Sequence, residues 1–298
     1  MTYSTKKPNT YALRVTCPAT TGIIAAVTSH LSGRGYYISE LSQYDDEETR
    51  RFFMRCTFQV GADVGVTPEG EGEATQVLGS FFSSVADRFG MDWSLNRTDR
   101  PKRVLMMVSK FDHCLREMLA QWNSGDINMD VVAIVSNHVD LQPTAQRYGI
   151  PFHHLPVTRD NKGAQEQALR ALIRDTRTEL VVLARYMQIL SDELSRDLSG
   201  RCINIHHSFL PSFKGGSPYA QAHGRGVKLI GATAHYVTGD LDEGPIIEQD
   251  VRRIDHRHSV QEMQAMGREV EAQVLLRAVR THLEDRIFID GNKTVIFA

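Results

Sequence analysis

Three polar side chains in two short stretches have the types and spacing for acyl-group chemistry. The first stretch, residues 201–216, reads R-C-I-N-I-H-H-S-F-L-P-S-F-K-G-G, and the second, residues 234–249, reads A-H-Y-V-T-G-D-L-D-E-G-P-I-I-E-Q. Asn204 and His206 lie two residues apart on an apolar run. Side chains alternate along a strand, so both point to one face while Ile203 and Ile205 point to the other. A carboxamide donor beside an imidazole at a strand end is a seat for a developing oxyanion. Asp242 follows a second apolar run inside a turn flanked by Gly239 and Gly244 and adds a carboxylate. Singly, each residue is read as a cap or turn former; the three together define a candidate site.

Those side chains need a scaffold, and the chain from residue 99 onward supplies a regular one. Buried-type strands are expected at 103–108, 131–135, 150–156, 180–184 and 202–205. Between them come helical patterns from Asp112 to about Asn123, from 139 to Tyr148, from 162 to 174 and from 192 to 198. This alternation predicts an α/β fold: an open, mostly parallel, Rossmann-like sheet with helices on both faces. In such sheets the site lies at the carboxyl ends of the strands. Segments 109–112, 136–138, 185–190 and 204–216 should therefore converge. Further strands are expected at 228–238 and 245–251, followed by an amphipathic core helix at 260–279 and a C-terminal hairpin turning at D-G-N.

Ahead of this lies a different pattern. Strand 10–16, helix 23–31, strands 36–44 and 51–60, helix 74–89 and strand 91–96 spell βαββαβ, a ferredoxin-like unit. The polar run N-R-T-D-R-P-K at 96–102 marks the junction, giving domains 8–98 and 99–298. The turn C-P-A-T-T-G-I at 17–23 resembles that of an ACT domain, a module that binds amino-acid effectors and pairs between subunits. The resemblance implies a regulatory or oligomerisation role and a homo-oligomer, a dimer or tetramer. Where such turns often carry an acid, this one has Ala19, Thr20 and Thr21.

Composition bounds the rest. The 298 residues are 41% hydrophobic and 23% charged, with a formal net charge of -2. That is ordinary for a globular protein and argues against a nucleic-acid partner. Cys17, Cys56, Cys114 and Cys202 are scattered without a C-x-x-C pair, which predicts free thiols and a cytoplasmic protein. No apolar run approaches a membrane span or a signal peptide. Among the twelve histidines, His153-His154, His206-His207 and Asp255-His256-Arg257-His258 form no H-E-x-x-H helix or Cys cluster, so no metal is expected.

The paired stretches N-I-H-H-S-F-L-P-S-F (204–213) and H-Y-V-T-G-D-L-D-E-G-P-I-I (235–247), with V-V-L-A-R-Y-M-Q-I-L (181–190), resemble the folate-dependent formyltransferases across the whole larger domain. The resemblance implies catalysis by Asn204, His206 and Asp242. It also implies a pterin pocket lined by Met187, Gln188, Leu190, Val237 and Asp240. His235 is a candidate to orient substrate, or else a hydrogen-bonded core residue. An ACT-like module in front points to the branch that hydrolyses 10-formyltetrahydrofolate to formate and tetrahydrofolate. That branch supplies formate and free folate to one-carbon and purine metabolism, with folate as substrate and no separate cofactor.

The acceptor is read from the turn after the first strand of the larger domain. Related glycinamide ribonucleotide formyltransferases have glycines there, and backbone N–H groups hold a phosphate. This chain has Ser109-Lys110-Phe111-Asp112-His113, whose side chains block close backbone approach and whose carboxylate repels phosphate. Water is left as acceptor. On this reading Asn204 and protonated His206 bind the oxyanion, and Asp242 serves as general base, directly or through water. The alternatives are transfer to a small amine without phosphate and a non-catalytic folate or amino-acid sensor.

Overall fold

The computed structural model describes residues 9–60, 71–207 and 218–297, which divide into two compact units. Residues 61–70 and the part of the first signature stretch at 208–217 lie outside the described residues.

The first unit runs β1 (Asn9–Pro18), α1 (Ile23–Ser32), β2 (Tyr37–Asp46), β3 (Arg51–Val60), α2 (Glu71–Phe89) and β4 (Asp92–Arg97). Its antiparallel sheet has the order β2-β3-β1-β4, the ferredoxin-like arrangement expected from the βαββαβ pattern. α1 buries Ile23, Val27 and Leu31, a four-residue spacing that puts all three on one helical stripe. They join a core in which Phe58 stacks between Tyr11 and Tyr36. A cavity of about 1060 Å³ opens at the turn after β1, lined by Thr20, Thr21, Asp45, Glu47 and Arg50.

The second unit contains β5 (Lys102–Val108), α3 (His113–Ser124), β6 (Met129–Ser136), α4 (Gln142–Arg147), β7 (Phe152–His154) and α5 (Lys162–Asp175). It continues with β8 (Leu180–Leu183), α6 (Asp192–Asp197), β9 (Cys202–His206), α7 (Pro218–Gly224), β10 (Leu229–Tyr236), β11 (Ile246–Arg253) and α8 (Val260–Leu283). The hairpin β12 (Ile287–Asp290) and β13 (Lys293–Ile296) closes the chain.

The seven-stranded sheet has the order β11-β10-β9-β8-β5-β6-β7. Strands β5 to β9 are parallel, and β10 and β11 join antiparallel at one edge. The central strands read as unbroken apolar runs because both faces are covered: all four residues of β8 are buried, as are Val104 to Val108 of β5. From β5 the chain winds outward through β6 and β7, then returns to β8 on the other side. The switch point thus falls between β5 and β8, where a crevice opens at the strand ends.

One expectation needs correction. The larger domain was read as continuous to residue 298, but residues 284–288 and 295–298 cluster with the first unit. The reason is apolar: Phe288 and Phe297 form a buried cluster with Phe53 of β3, at ring separations of 5.8 Å (Phe53–Phe288) and 5.5 Å (Phe288–Phe297). Asp112 does stand at the N-cap of α3, yet its side chain makes no capping bond and instead pairs with Arg116 at 3.4 Å. Among the described residues, no helix is long and apolar enough to cross a membrane.

Candidate active site

The site is assembled where antiparallel β10 returns beside β9. Their register sets His235 directly opposite Asn204, and Thr233 opposite His206. The alternation inferred from the sequence holds: Ile203 and Ile205 are buried, while Asn204 and His206 are partly accessible. A register shift between Ala234 and His235 on the β11 side marks a bulge, the device by which a strand re-aims one side chain.

His235 is 2% exposed, and its hydrogen bonds fix its orientation. Nδ1 lies 2.9 Å from the Tyr236 carbonyl oxygen, which only accepts, so Nδ1 carries the proton. Nε2 then accepts from Asn204 Nδ2 at 3.2 Å. One amide hydrogen of Asn204 is thereby committed and the other is left for a ligand. The Nε2 to Asp242 Oδ1 separation, 3.6 Å, is beyond hydrogen-bond range and acts only through charge.

Asp242 reaches the pair through a tight loop between β10 and β11. Its backbone sits at φ 58°, a left-handed conformation that Asp tolerates better than most side chains. Gly244 lets the loop close, because a Cβ there would overlap the Tyr236 carbonyl oxygen and press on the His235 ring. Tyr236 N also donates to Pro245 O at 3.0 Å. The result is Asp242 Oδ2 at 3.2 Å from His206 Nδ1. The hydrogen bond from His206, with the charges of His206 and His235, outweighs partial burial and holds the Asp242 carboxyl well below the usual carboxylate range. Asp242 is therefore an anion at any working pH.

A cavity of about 200 Å³ opens on this cluster and is lined by Asn204, His206, His235 and Asp242. Met187, Gln188, Leu190, Val237 and Asp240 line it too, so all nine residues singled out from the sequence surround one cavity. Ser109 positions the loop after β8: its hydroxyl donates to Asn137 Oδ1 at 2.7 Å and accepts from Met187 N at 3.0 Å. Segments 109–112, 136–138 and 185–190 thus meet, as the strand-end rule requires.

Several residues of this region went unassigned in the sequence. His207 stacks on His206 with centroids 4.9 Å apart. Burial, with the positive charges of Arg185 and His206, pulls His207 down to about 4. Glu271 of α8, 2% exposed, lies 3.3 Å from Arg185 Nε. It also accepts from Tyr219 OH at 3.1 Å and meets His113 Nε2 at 2.8 Å. Burial drives the Glu271 carboxyl up, but the His113 bond and the Arg185, His113 and His207 charges together bring it below its ordinary value. Its sequence signal was a glutamate on the stripe of Met263, Gly267, Val270 and Val274, where an apolar residue belongs.

Among the described residues, His113, Cys114 and Glu271 have ligand atoms within 4.8 Å of one another. Their chemistry is poorly suited to a cation. Arg185 already neutralises Glu271, and burial raises the Cys114 thiol well above its usual range, so no thiolate is offered. The Asp255 to His258 motif forms a separate turn in which His258 Nδ1 and Asp255 pair at 3.0 Å.

Comparison with known proteins places the chain in a family. A formyl transferase family model matches residues 102–279. The formyltetrahydrofolate deformylase of Corynebacterium sp. (strain P-1) is 48% identical over 96% of this chain and 97% of its own. The crystal structure of the formyltetrahydrofolate deformylase from Burkholderia mallei superposes with a TM-score of 0.90 at 47% identity, over 98% of this chain and all of that one. A glycinamide ribonucleotide transformylase from Symbiobacterium toebii is more distant, with 27% identity and a TM-score of 0.63 over 69% of this chain and 98% of its own. On these grounds the chain belongs to the formyltetrahydrofolate deformylase family.

Proposed function

We propose that the cluster of Asn204, His206 and Asp242 is the machinery by which this chain hydrolyses 10-formyltetrahydrofolate to formate and tetrahydrofolate. The observation that carries the assignment is the paired geometry: Asn204 held by His235 at 3.2 Å and His206 held by Asp242 at 3.2 Å, on one cavity. The pterin is assigned to the part of the cavity lined by Met187, Gln188, Leu190, Val237 and Asp240. This puts the N10 formyl group beside Asn204 and His206.

The carboxylate of Asp242 is too weak a base to take a proton from water unaided, and its proximity to Nδ1 makes it the anchor of His206. It fixes Nδ1 as a donor and leaves Nε2 as the nitrogen available to substrate. Nε2 accepts a proton from the attacking water as the new C–O bond forms. The uncommitted Asn204 Nδ2 hydrogen and the resulting imidazolium bind the tetrahedral oxyanion. Collapse breaks the C–N10 bond, His206 returns its proton to N10, and formic acid ionises. No step calls for a metal ion.

Purified protein incubated with 10-formyltetrahydrofolate should release free formate in step with tetrahydrofolate. Formation of the tetrahydrofolate only when an amine is supplied would replace the hydrolase reading with a transferase.

For the first unit we infer an amino-acid effector in the cavity beside Thr20 and Thr21. Asp45 and Glu47 offer carboxylates to an ammonium group there, and Arg50 offers a guanidinium to a carboxylate. The acids expected in the turn after β1 thus have a counterpart on the turn between β2 and β3. We also infer a homo-oligomer paired through edge strand β2, where Tyr37 is 68% exposed. Four buried thiols fit a reducing compartment, and we infer the cytoplasm. Calorimetric titration with glycine and methionine tests the effector, and light scattering tests the assembly; no heat and a monomer would dismiss these inferences.

A further inference from the structure

Two cavities among the described residues of the second unit share no lining residue. One is the site described above, and Arg185 and His207 belong to its lining. The other is a groove of about 1210 Å³ lined by Asp112 and His113 of α3 and by Arg116, Arg147, Arg252 and Arg268. Asp112, Glu117 and Glu269 in the same lining offset three of the four arginines, so the groove is mixed in charge with a small positive excess. The side chains that connect groove to site are His113, Glu271 and Arg185. His113 meets Glu271 at 2.8 Å, and Glu271 lies 3.3 Å from Arg185 Nε.

This connection is built at some cost. Arg185 takes φ 66°, a left-handed conformation unfavourable for a long side chain, directly after β8. Its guanidinium lies 5.3 Å from the Phe111 ring centroid, so it also reaches the segment after β5. Glu271 is almost wholly buried and would be strongly destabilising without its partners. Tyr219 completes the knot, and α8 carries Gly267 where any Cβ would overlap the Tyr219 ring and hydroxyl. Three elements are thus shaped to hold one guanidinium in place. None of these residues takes part in the hydrolytic steps above.

We propose that Arg185, locked by Glu271, is a specificity-determining plug that closes the formyl site against the arginine-lined groove and so keeps a second substrate amine from the formyl carbon, leaving water as acceptor. The inference rests on the hydrolase reading. Its logic is steric and electrostatic. An amine arriving from the groove would have to pass the space that Arg185 fills, and a protonated amine would be repelled there. Water enters from the open side of the site and needs no such passage. The fold itself is compatible with transfer to an amine, since the Symbiobacterium toebii transformylase shares it. Something local must therefore select the acceptor. The segment 109–112 is part of that selection, and Arg185 lies against its Phe111.

The test is a partition experiment with 10-formyltetrahydrofolate as donor and glycinamide as the acceptor probe, measuring formylglycinamide against free formate. The parent protein should give formate with only a trace of formylglycinamide. Arg185→Gly relaxes the backbone and opens the passage, and should raise the share of formyl groups delivered to glycinamide by about 10-fold or more. Arg185→Gly combined with Glu271→Gln removes the charge that would otherwise stay buried, and should show the same shift. The ratio is read per turnover, so a change in the amount of folded enzyme does not move it. An unchanged ratio in both variants, or a parent protein that formylates glycinamide as readily as water, overturns the plug. A parent protein that releases no formate at all overturns the hydrolase reading instead.

Discussion

Replacing Asp242 with asparagine isolates the charge at the centre of the proposed mechanism. Asparagine has the same shape, and it tolerates the φ of 58° that Asp242 adopts, so the loop between β10 and β11 keeps its path. What disappears is a negative charge 3.2 Å from His206 Nδ1. At that separation, with an effective dielectric of about 20, the attraction to an imidazolium is worth about 5 kcal/mol. The Asp242 side chain is 26% exposed, so solvent screens part of this, and about 2–4 kcal/mol is a working figure. Lost only in the transition state, that amounts to a fall of roughly 30- to 1000-fold in kcat. Formate release from 10-formyltetrahydrofolate under saturating substrate measures it. Substrate binding, followed separately by equilibrium titration, should change little because the pterin contacts are elsewhere. A variant with kcat within threefold of the parent would refute the anchoring role of Asp242. A variant that failed to bind folate would show that the loop had moved.

Other expectations follow from the same geometry. His235→Phe keeps the ring volume but removes the acceptor that holds Asn204, and should lower kcat/KM about 10- to 100-fold; unaltered kinetics would mean that Asn204 needs no such partner. Gly244→Ala forces a Cβ into the Tyr236 carbonyl and should destabilise the protein by about 3 kcal/mol, a fall in Tm of about 10 °C. A Tm within 2 °C of the parent's, by calorimetry, would contradict the close approach. Acid stability also has a defined sign. The folded Asp242 carboxyl lies well below the unfolded value of about 3.9, so its contribution is fully present above that value and is lost as pH falls through the folded one. Urea midpoints compared between pH 7 and pH 2 should therefore drop more in the parent than in Asp242→Asn; equal drops would remove Asp242 from the acid response.

The sequence by itself determined the two fold patterns and picked out residues that line one cavity. Unbroken apolar runs such as Val104 to Val108 and Leu180 to Leu183 identify buried parallel strands because only residues covered on both faces can be apolar throughout. The two-residue spacing of Asn204 and His206 fixed them on one face, since the strand repeat is local. Tertiary structure alone decided that β10 returns antiparallel to β9 with His235 opposite Asn204, because register is a property of two distant segments. It alone brought Phe288 and Phe297 to Phe53, a long-range apolar contact with no local signature. The knot of Arg185, Glu271 and His113 belongs to the same class. Glu271 stands out only as a glutamate on an apolar stripe, and only the meeting of the segment after β8 with α3 and α8 makes the three a buried ion-pair cluster. Local periodicity records which face a side chain takes, whereas the partner it meets there depends on chain closure, over 31 residues for Asn204 and His235 and 158 for His113 and Glu271.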